Sequence, residues 1–256
     1  MIQNKKVLVS GAGRGIGRSI ALSFAKEGFD VSLVARTKSE IDAVADEISS
    51  LGVNSIPVVC DVTSSEKVKK VFREIEEKMG SIDIFVANAG LLLKNELVNT
   101  DDQLWGKIID ANLNSVFYTT RTVIKGMIER KWGRIIVISS VSGKLGGAHR
   151  SAYHTAKHGA IGFVRSIALE VAEYEITVNA ICPGFVETKM MNDNQKLFSE
   201  NVSDTEDIVD YLKKNIPMKR FLDPQEIASM SVYLASDSAS GITGQAYTIS
   251  CGAVQI

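Results

Sequence analysis

Seven short apolar runs, at residues 5–10, 31–35, 55–60, 82–87, 134–138, 176–181 and 246–250, recur along the chain and read as strands. Between them lie longer stretches with helical spacing of apolar residues, from the glycine turn to about 28, then at 39–51, 65–79, 102–110, 114–130, 153–173 and 224–234. Strands that mostly alternate with helices predict an α/β fold of three layers, a doubly wound, mostly parallel sheet of seven strands with helices on both faces. No linker-like tract of Pro, Ser or Gly divides the 256 residues, so a single domain is expected. Residues 189–220 are polar but carry Met190, Met191, Leu197, Phe198, Ile208, Tyr211 and Ile216, and they are expected to form a helical lid over the substrate. The apolar positions of 153–173 cover more than one stripe, which predicts burial against the sheet and also against a second copy, in a homodimer or homotetramer.

Charge narrows the classes of partner. Twenty-nine basic against thirty acidic residues give a net charge of −1, which leaves no electrostatic footprint for nucleic acid or for an anionic membrane surface. No apolar run approaches the ~18 residues of a membrane span, and the first residues lack the apolar core of a signal peptide. Cys60, Cys182 and Cys251 are odd in number and far apart, so neither a disulfide framework nor a zinc site is expected and a reducing cytoplasm is the anticipated setting. His154 and His158 stand four apart, but no third ligand accompanies them, so no metal is expected.

The chemistry concentrates at two places. The first strand runs into Gly11-Ala12-Gly13-Arg14-Gly15-Ile16-Gly17 and then a helix, where glycine permits a tight turn and the helix start offers N–H groups to a pyrophosphate. The second strand ends on Ala35 and Arg36, where an NAD-binding site would carry a carboxylate for the ribose hydroxyl. Arg36, aided by Arg14, is suited to a 2′-phosphate, so NADP(H) is expected in preference to NAD(H). The second place is 139–157: Ser140 follows an apolar strand, and Tyr153 and Lys157 are one helical turn apart, which sets an ammonium beside a phenol and favours the ionised phenol.

Ser140, Tyr153 and Lys157 at this spacing, with the G-x-x-x-G-x-G turn ahead of them, resemble the short-chain dehydrogenase/reductase family over nearly the whole chain. The resemblance implies a Rossmann-type fold and a catalytic group of Ser140, Tyr153 and Lys157, with Asn112 holding a water against the lysine. It further implies that Gly11, Arg14, Gly15, Ile16 and Gly17 cradle the phosphates and that Asp61 and Val62 meet the adenine. Asn88, Ala89 and Gly90 would line the cofactor cleft, Tyr153 and Lys157 would also contact the cofactor, and Pro183, Gly184, Val186 and Thr188 would contact the nicotinamide. Ser10 stands where the family commonly has Thr, and Ala87 where it has Asn. The segments at 143–146, 156–159 and 176–188 are similar to ketoreductases of polyketide or acyl chains. They imply NADPH-dependent reduction of a β-ketoacyl thioester, carried by coenzyme A or an acyl carrier protein, or of a polyketide ketone. The alternatives are a dehydrogenase of a small secondary alcohol, sugar alcohol or hydroxy acid, and a non-catalytic cofactor-binding regulator.

Overall fold

In a computed structural model, residues 5–193 and 207–256 are described. Strands β1 (Lys6–Ser10), β2 (Asp30–Ala35), β3 (Ser55–Val59), β4 (Ile84–Ala87), β5 (Gly133–Ile138), β6 (Ile176–Pro183) and β7 (Ala246–Ile249) form one sheet in the order β3-β2-β1-β4-β5-β6-β7. All six pairings are parallel, so the sheet is parallel throughout where the sequence pointed to mostly parallel. A parallel sheet must be covered on both faces, because each crossover lays a helix on one of them.

Side-chain alternation does the sorting. Val7, Val9, Val31, Leu33, Ile84, Val86, Ile136 and Ile138 face one apolar cluster. Their neighbours Leu8, Val34, Phe85, Ile135 and Val137 face the other. Two-residue periodicity in the strands therefore produces two cores from one sequence pattern. The first core is closed by α1 (Gly15–Lys26), α2 (Lys38–Ser49) and α9 (Pro224–Ala235), which supply Ile20, Phe24, Ile41, Ile48 and Ile227. The second is closed by α3 (Ser65–Met79), α5 (Ser115–Arg130) and α6 (Ser151–Val171), which supply Phe72, Val123, Met127 and Val164. Pro57 is tolerated in β3 because that strand is an edge, paired only with β2.

The expected pair of helices around Asn112 is one rod. A short α4 (Asp102–Ile109) passes through a single π turn, Asp110–Asn114, directly into α5. Sequence periodicity could not show this, since a π turn inserts one residue into a helix without breaking its backbone bonding.

The expected lid span contributes α7 (Lys189–Asp193) and α8 (Ile208–Asn215), while Leu197 and Phe198 lie outside the described residues. Met191, Leu212 and Ile216 are buried in the first core with Phe221. Both ends of the span are thus anchored by apolar packing.

Candidate active site

Strand order reverses direction at β1 and β4, and the crevice beyond the carboxyl ends of such strands is where open α/β sheets bind ligands. Here a cleft of about 350 Å³ opens at that point. It runs from Arg36 and Asp61 at one end to Tyr153 and Met190 at the other.

The glycine turn forms its floor. Gly11 and Gly15 have φ of 67° and 53°, conformations that side chains disfavour. Gly11 is also pressed on the β4 side, where an added Cβ would lie 2.9 Å from Asn88 Nδ2 and 3.0 Å from Ala89 Cα. Gly17 behaves differently from the sequence expectation. It does not line the cleft but packs behind it, where a Cβ would come within 2.1 Å of the Gly11 carbonyl oxygen and 2.5 Å of Asn88 Nδ2. Its work is to let α1 close on the turn. The helix begins without a side-chain cap and without an acidic residue in its first turn, so its leading N–H groups stay available to an anion. This bare, side-chain-free cradle fits a dinucleotide pyrophosphate.

Ser10 braces the same corner. Its Oγ accepts hydrogen bonds from the backbone N–H of Asn88 (3.1 Å) and Ala89 (3.3 Å), and Asn88 Nδ2 donates to the carbonyls of Ser10 and Gly11 at 3.1 Å each. The ends of β1 and β4 are therefore fastened by side chains as well as by the sheet. Ala89, Gly90 and Ile16 line the cleft beside them.

At the nucleotide end, Arg14 and Arg36 both reach the cleft, and Arg14 Nη1 lies 3.5 Å from Glu40 Oε1. Glu40 was not anticipated from the sequence, since a carboxylate opening a helix reads as an ordinary first-turn charge. Burial alone would raise the Asp61 carboxyl, but bonds from the Thr63 hydroxyl (2.8 Å) and N–H (3.1 Å), with the charge of Arg36, outweigh it and hold the group below its usual range. The D-x-T spacing is an Asx-turn signal that could have found Thr63. Val62 lines the wall next to Asp61.

At the other end β5 leads into Ser140, and the first two turns of α6 deliver Tyr153 and Lys157. Ser140 Oγ accepts from the Ser142 N–H (3.1 Å) and shares a hydrogen bond with the Tyr153 hydroxyl. Lys157 Nζ donates to the Ile138 carbonyl (3.1 Å) and lies 5.7 Å from the centroid of the Tyr153 ring. Burial pushes the lysine down to about 8. Burial likewise raises the phenol, against the Ser140 bond and the charge of Arg150. The expected lowering of the phenol by Lys157 is therefore not what this geometry gives: desolvation acts on both groups, and the cation that opposes it at the phenol is Arg150. Arg150 is a residue the sequence reading passed over, although its place three before Tyr153 on a helix start was the available signal.

Asn112 is buried inside the π turn. Its Nδ2 donates to the carbonyls of Leu91 (2.9 Å) and Ile108 (3.0 Å), and its Oδ1 accepts from the Leu91 N–H (3.2 Å). A Cβ on Gly90 would lie 2.7 Å from Asn112 Oδ1 and 3.6 Å from Lys157 Nζ, so Asn112 and the lysine meet across a bare glycine. Pro183, Gly184, Val186 and Thr188 line the roof, where Leu222 accepts from the Glu187 N–H and donates to the Phe185 carbonyl. The imidazoles of His154 and His158 are bonded to the backbone carbonyls of Leu145 and His154. Among the described residues no cluster of three metal-ligating side chains occurs, and no helix is long and apolar enough to cross a membrane.

A family model described as enoyl-(acyl carrier protein) reductase matches residues 11–254. The chain belongs to the short-chain dehydrogenase/reductase family. It is 38% identical to the 3-oxoacyl-[acyl-carrier-protein] reductase FabG of Staphylococcus epidermidis over 250 residues, 97% of this chain and 98% of the relative. Among solved structures, a single-residue variant of the actinorhodin polyketide ketoreductase with NADPH superposes with a TM-score of 0.94 at 36% identity, covering 98% of this chain and 97% of that one. A putative gluconate dehydrogenase from Agrobacterium tumefaciens does so at 0.91 and 29%, covering 100% and 98%. The expectation of an NAD(P)-dependent short-chain oxidoreductase, and of a seven-stranded Rossmann-like sheet, is met.

Proposed function

We propose that this enzyme uses NADPH to reduce the ketone of a β-ketoacyl thioester to a secondary alcohol. The observation that carries the reading is the pairing within one cleft of a phenol hydrogen-bonded to a serine, at one end, with two arginines at the other, where β2 ends on Ala35 and is followed by Arg36 in place of a carboxylate. Bound nicotinamide would supply the hydride chemistry. The chain's part is to hold and protonate the carbonyl. Tyr153, kept protonated by its buried setting, donates to the ketone oxygen, and Ser140 donates a second hydrogen bond to the same atom as charge builds on it. Lys157, with a pKa of about 8, exchanges a proton near neutrality and stands one turn from the phenol that must be recharged. Asn112 fixes the loop at Leu91 that walls this end.

Gly11, Gly15 and Ile16 are assigned to the pyrophosphate turn with Gly17 packed behind it, Arg14 and Arg36 to the 2′-phosphate, Asp61 and Val62 to the adenine, and Asn88, Ala89, Gly90, Pro183, Gly184, Val186 and Thr188 to the nicotinamide half. The FabG relative's name supports a carrier protein as the natural thioester partner, and the two-sided apolar helix α6 supports a homodimer or homotetramer. Residues 189–220 are assigned to covering the substrate, with Met190 on the cleft wall.

Initial rates of nicotinamide oxidation with acetoacetyl-CoA test the proposal, with NADPH and NADH in parallel and Tyr153→Phe as control. Turnover with NADPH that is lost in the variant is expected. Crotonyl-CoA in the same assay separates ketone from enoyl reduction, and turnover of crotonyl-CoA alone would overturn the ketone reading.

A further inference from the structure

Ser140 opens a single 3₁₀ turn, Val141–Gly143, in which the Gly143 N–H donates to the Ser140 carbonyl at 2.9 Å. One flank of this turn is held by α6, where Ser139 Oγ donates to the Lys157 carbonyl at 3.1 Å. The other flank ends on Lys144, whose N–H donates to the Val141 carbonyl at 2.9 Å. Lys144 is half-buried and does not line the cleft. Its ammonium donates to the Ala246 carbonyl (2.7 Å), to Thr248 Oγ1 (2.8 Å) and to the Ile256 carbonyl (2.7 Å), so all three of its protons are taken. Thr248 Oγ1 in turn donates to the Ile256 carbonyl at 2.7 Å. Bonds from a cation are the strong kind, and here they fasten the serine's turn to β7 and the chain beyond it, 102 to 112 residues away in sequence. The same strand holds the roof of the cleft, because the Gly184 N–H donates to the Ile249 carbonyl at 2.8 Å.

We propose that Lys144 is a positioning residue for the reduction, which fixes the Ser140 hydroxyl relative to the roof of the cleft by tying the serine's turn to β7. The proposal rests on the ketone reading above, in which Ser140 donates to the ketone oxygen as charge builds on it. Such a donor is effective only when it is already aimed before the hydride moves, because one that must be reoriented returns its contribution as lost order. A lone 3₁₀ turn has poorer hydrogen-bond geometry than an α-helix and holds a side chain weakly by itself. Lys144 supplies the missing anchor from one side of β7, and the Gly184 bond supplies it for the roof. The hydroxyl and the roof are thus referenced to one strand. Lys144 acts through Ser140 and exchanges no proton with the substrate.

Steady-state rates with NADPH and acetoacetyl-CoA on Lys144→Met, Ser140→Ala and the double variant test the proposal. In Lys144→Met, kcat should fall about 10-fold with KM within about twofold of wild type, a part of the ~100-fold or more that losing an oxyanion donor costs. In the Ser140→Ala background the same change should alter kcat by less than about twofold, because no hydroxyl remains to be misplaced. Lys144→Arg, which keeps the cation, should recover part of the rate. Thr248→Val removes one acceptor from the β7 side and should lower kcat about threefold, again only when Ser140 is present, so the same cycle can be run if Lys144→Met does not fold. Equal losses of kcat with and without Ser140, or a change in KM alone, would make Lys144 a structural residue and overturn the proposal while leaving the ketone reading standing. Absence of wild-type turnover would overturn the ketone reading and this proposal with it.

Discussion

Replacing Lys157 by methionine should abolish turnover and yet make the cofactor-free protein more stable at neutral pH. The lysine is buried and donates to the Ile138 carbonyl, and desolvation lowers its pKa from 10.5 to about 8. That difference, at about 1.4 kcal/mol per unit, corresponds to roughly 3 kcal/mol by which the folded state disfavours the charged ammonium. Methionine removes this cost but leaves the Ile138 carbonyl without its donor, which returns about 1 kcal/mol. A net gain of about 2 kcal/mol, or ~4–8 °C in Tm for a chain of this size, is expected at pH 7. The sign with pH follows from proton binding. Below pH 8 the lysine is protonated in both states, so the wild type carries the full cost. Between 8 and 10.5 the folded state sheds its proton first, the unfolded state binds more protons, and wild-type stability rises with pH. Thermal unfolding of both proteins without cofactor, from pH 7 to 10.5, should therefore show the advantage of the variant shrinking across that window. A Lys157→Met protein less stable than wild type at pH 7, or a gap that does not change with pH, would refute the reasoning.

Gly17→Ala should lower Tm by several degrees and weaken NADPH binding, because its Cβ overlaps a backbone oxygen that cannot step aside; Gly106→Ala, with nothing within 4 Å in α4, should gain up to about 1 kcal/mol, and calorimetry on both separates steric from propensity effects. Ser10→Ala strips the acceptor from the Asn88 and Ala89 N–H groups and should cost about 1–3 kcal/mol in urea unfolding, whereas Ser10→Thr keeps it. Arg36→Glu should cut the preference for NADPH over NADH by about 30-fold in KM ratio, measured by paired titrations of the two cofactors.

The order of elements was legible because each rests on local regularities: short continuous apolar runs in β1 and β4, and 3.6-residue spacing in α1 and α6. Glycine at 11 and 15 announced a turn because the backbone itself demands it there. Tyr153 and Lys157 could be paired on paper, since four residues on a helix set two side chains on one face. Other features depend on which distant segments meet. Gly17 looked like part of the phosphate cradle, yet its lack of a side chain is required by Gly11 and Asn88 behind it. Asn112 looked like a residue between two helices until Leu91, brought alongside by β4, claimed both ends of its amide across a π turn. The proton affinities belong to the same class, because desolvation depends on the whole enclosure: it outweighs the helical proximity of Lys157 at the phenol and hands the opposing charge to Arg150. The sequence by itself determined the elements and the chemical groups they carry, because those depend on neighbours along the chain. Only the tertiary structure decided how tightly those groups are enclosed and which partners share their hydrogen bonds, because dielectric and contact are properties of packing between segments far apart in the chain.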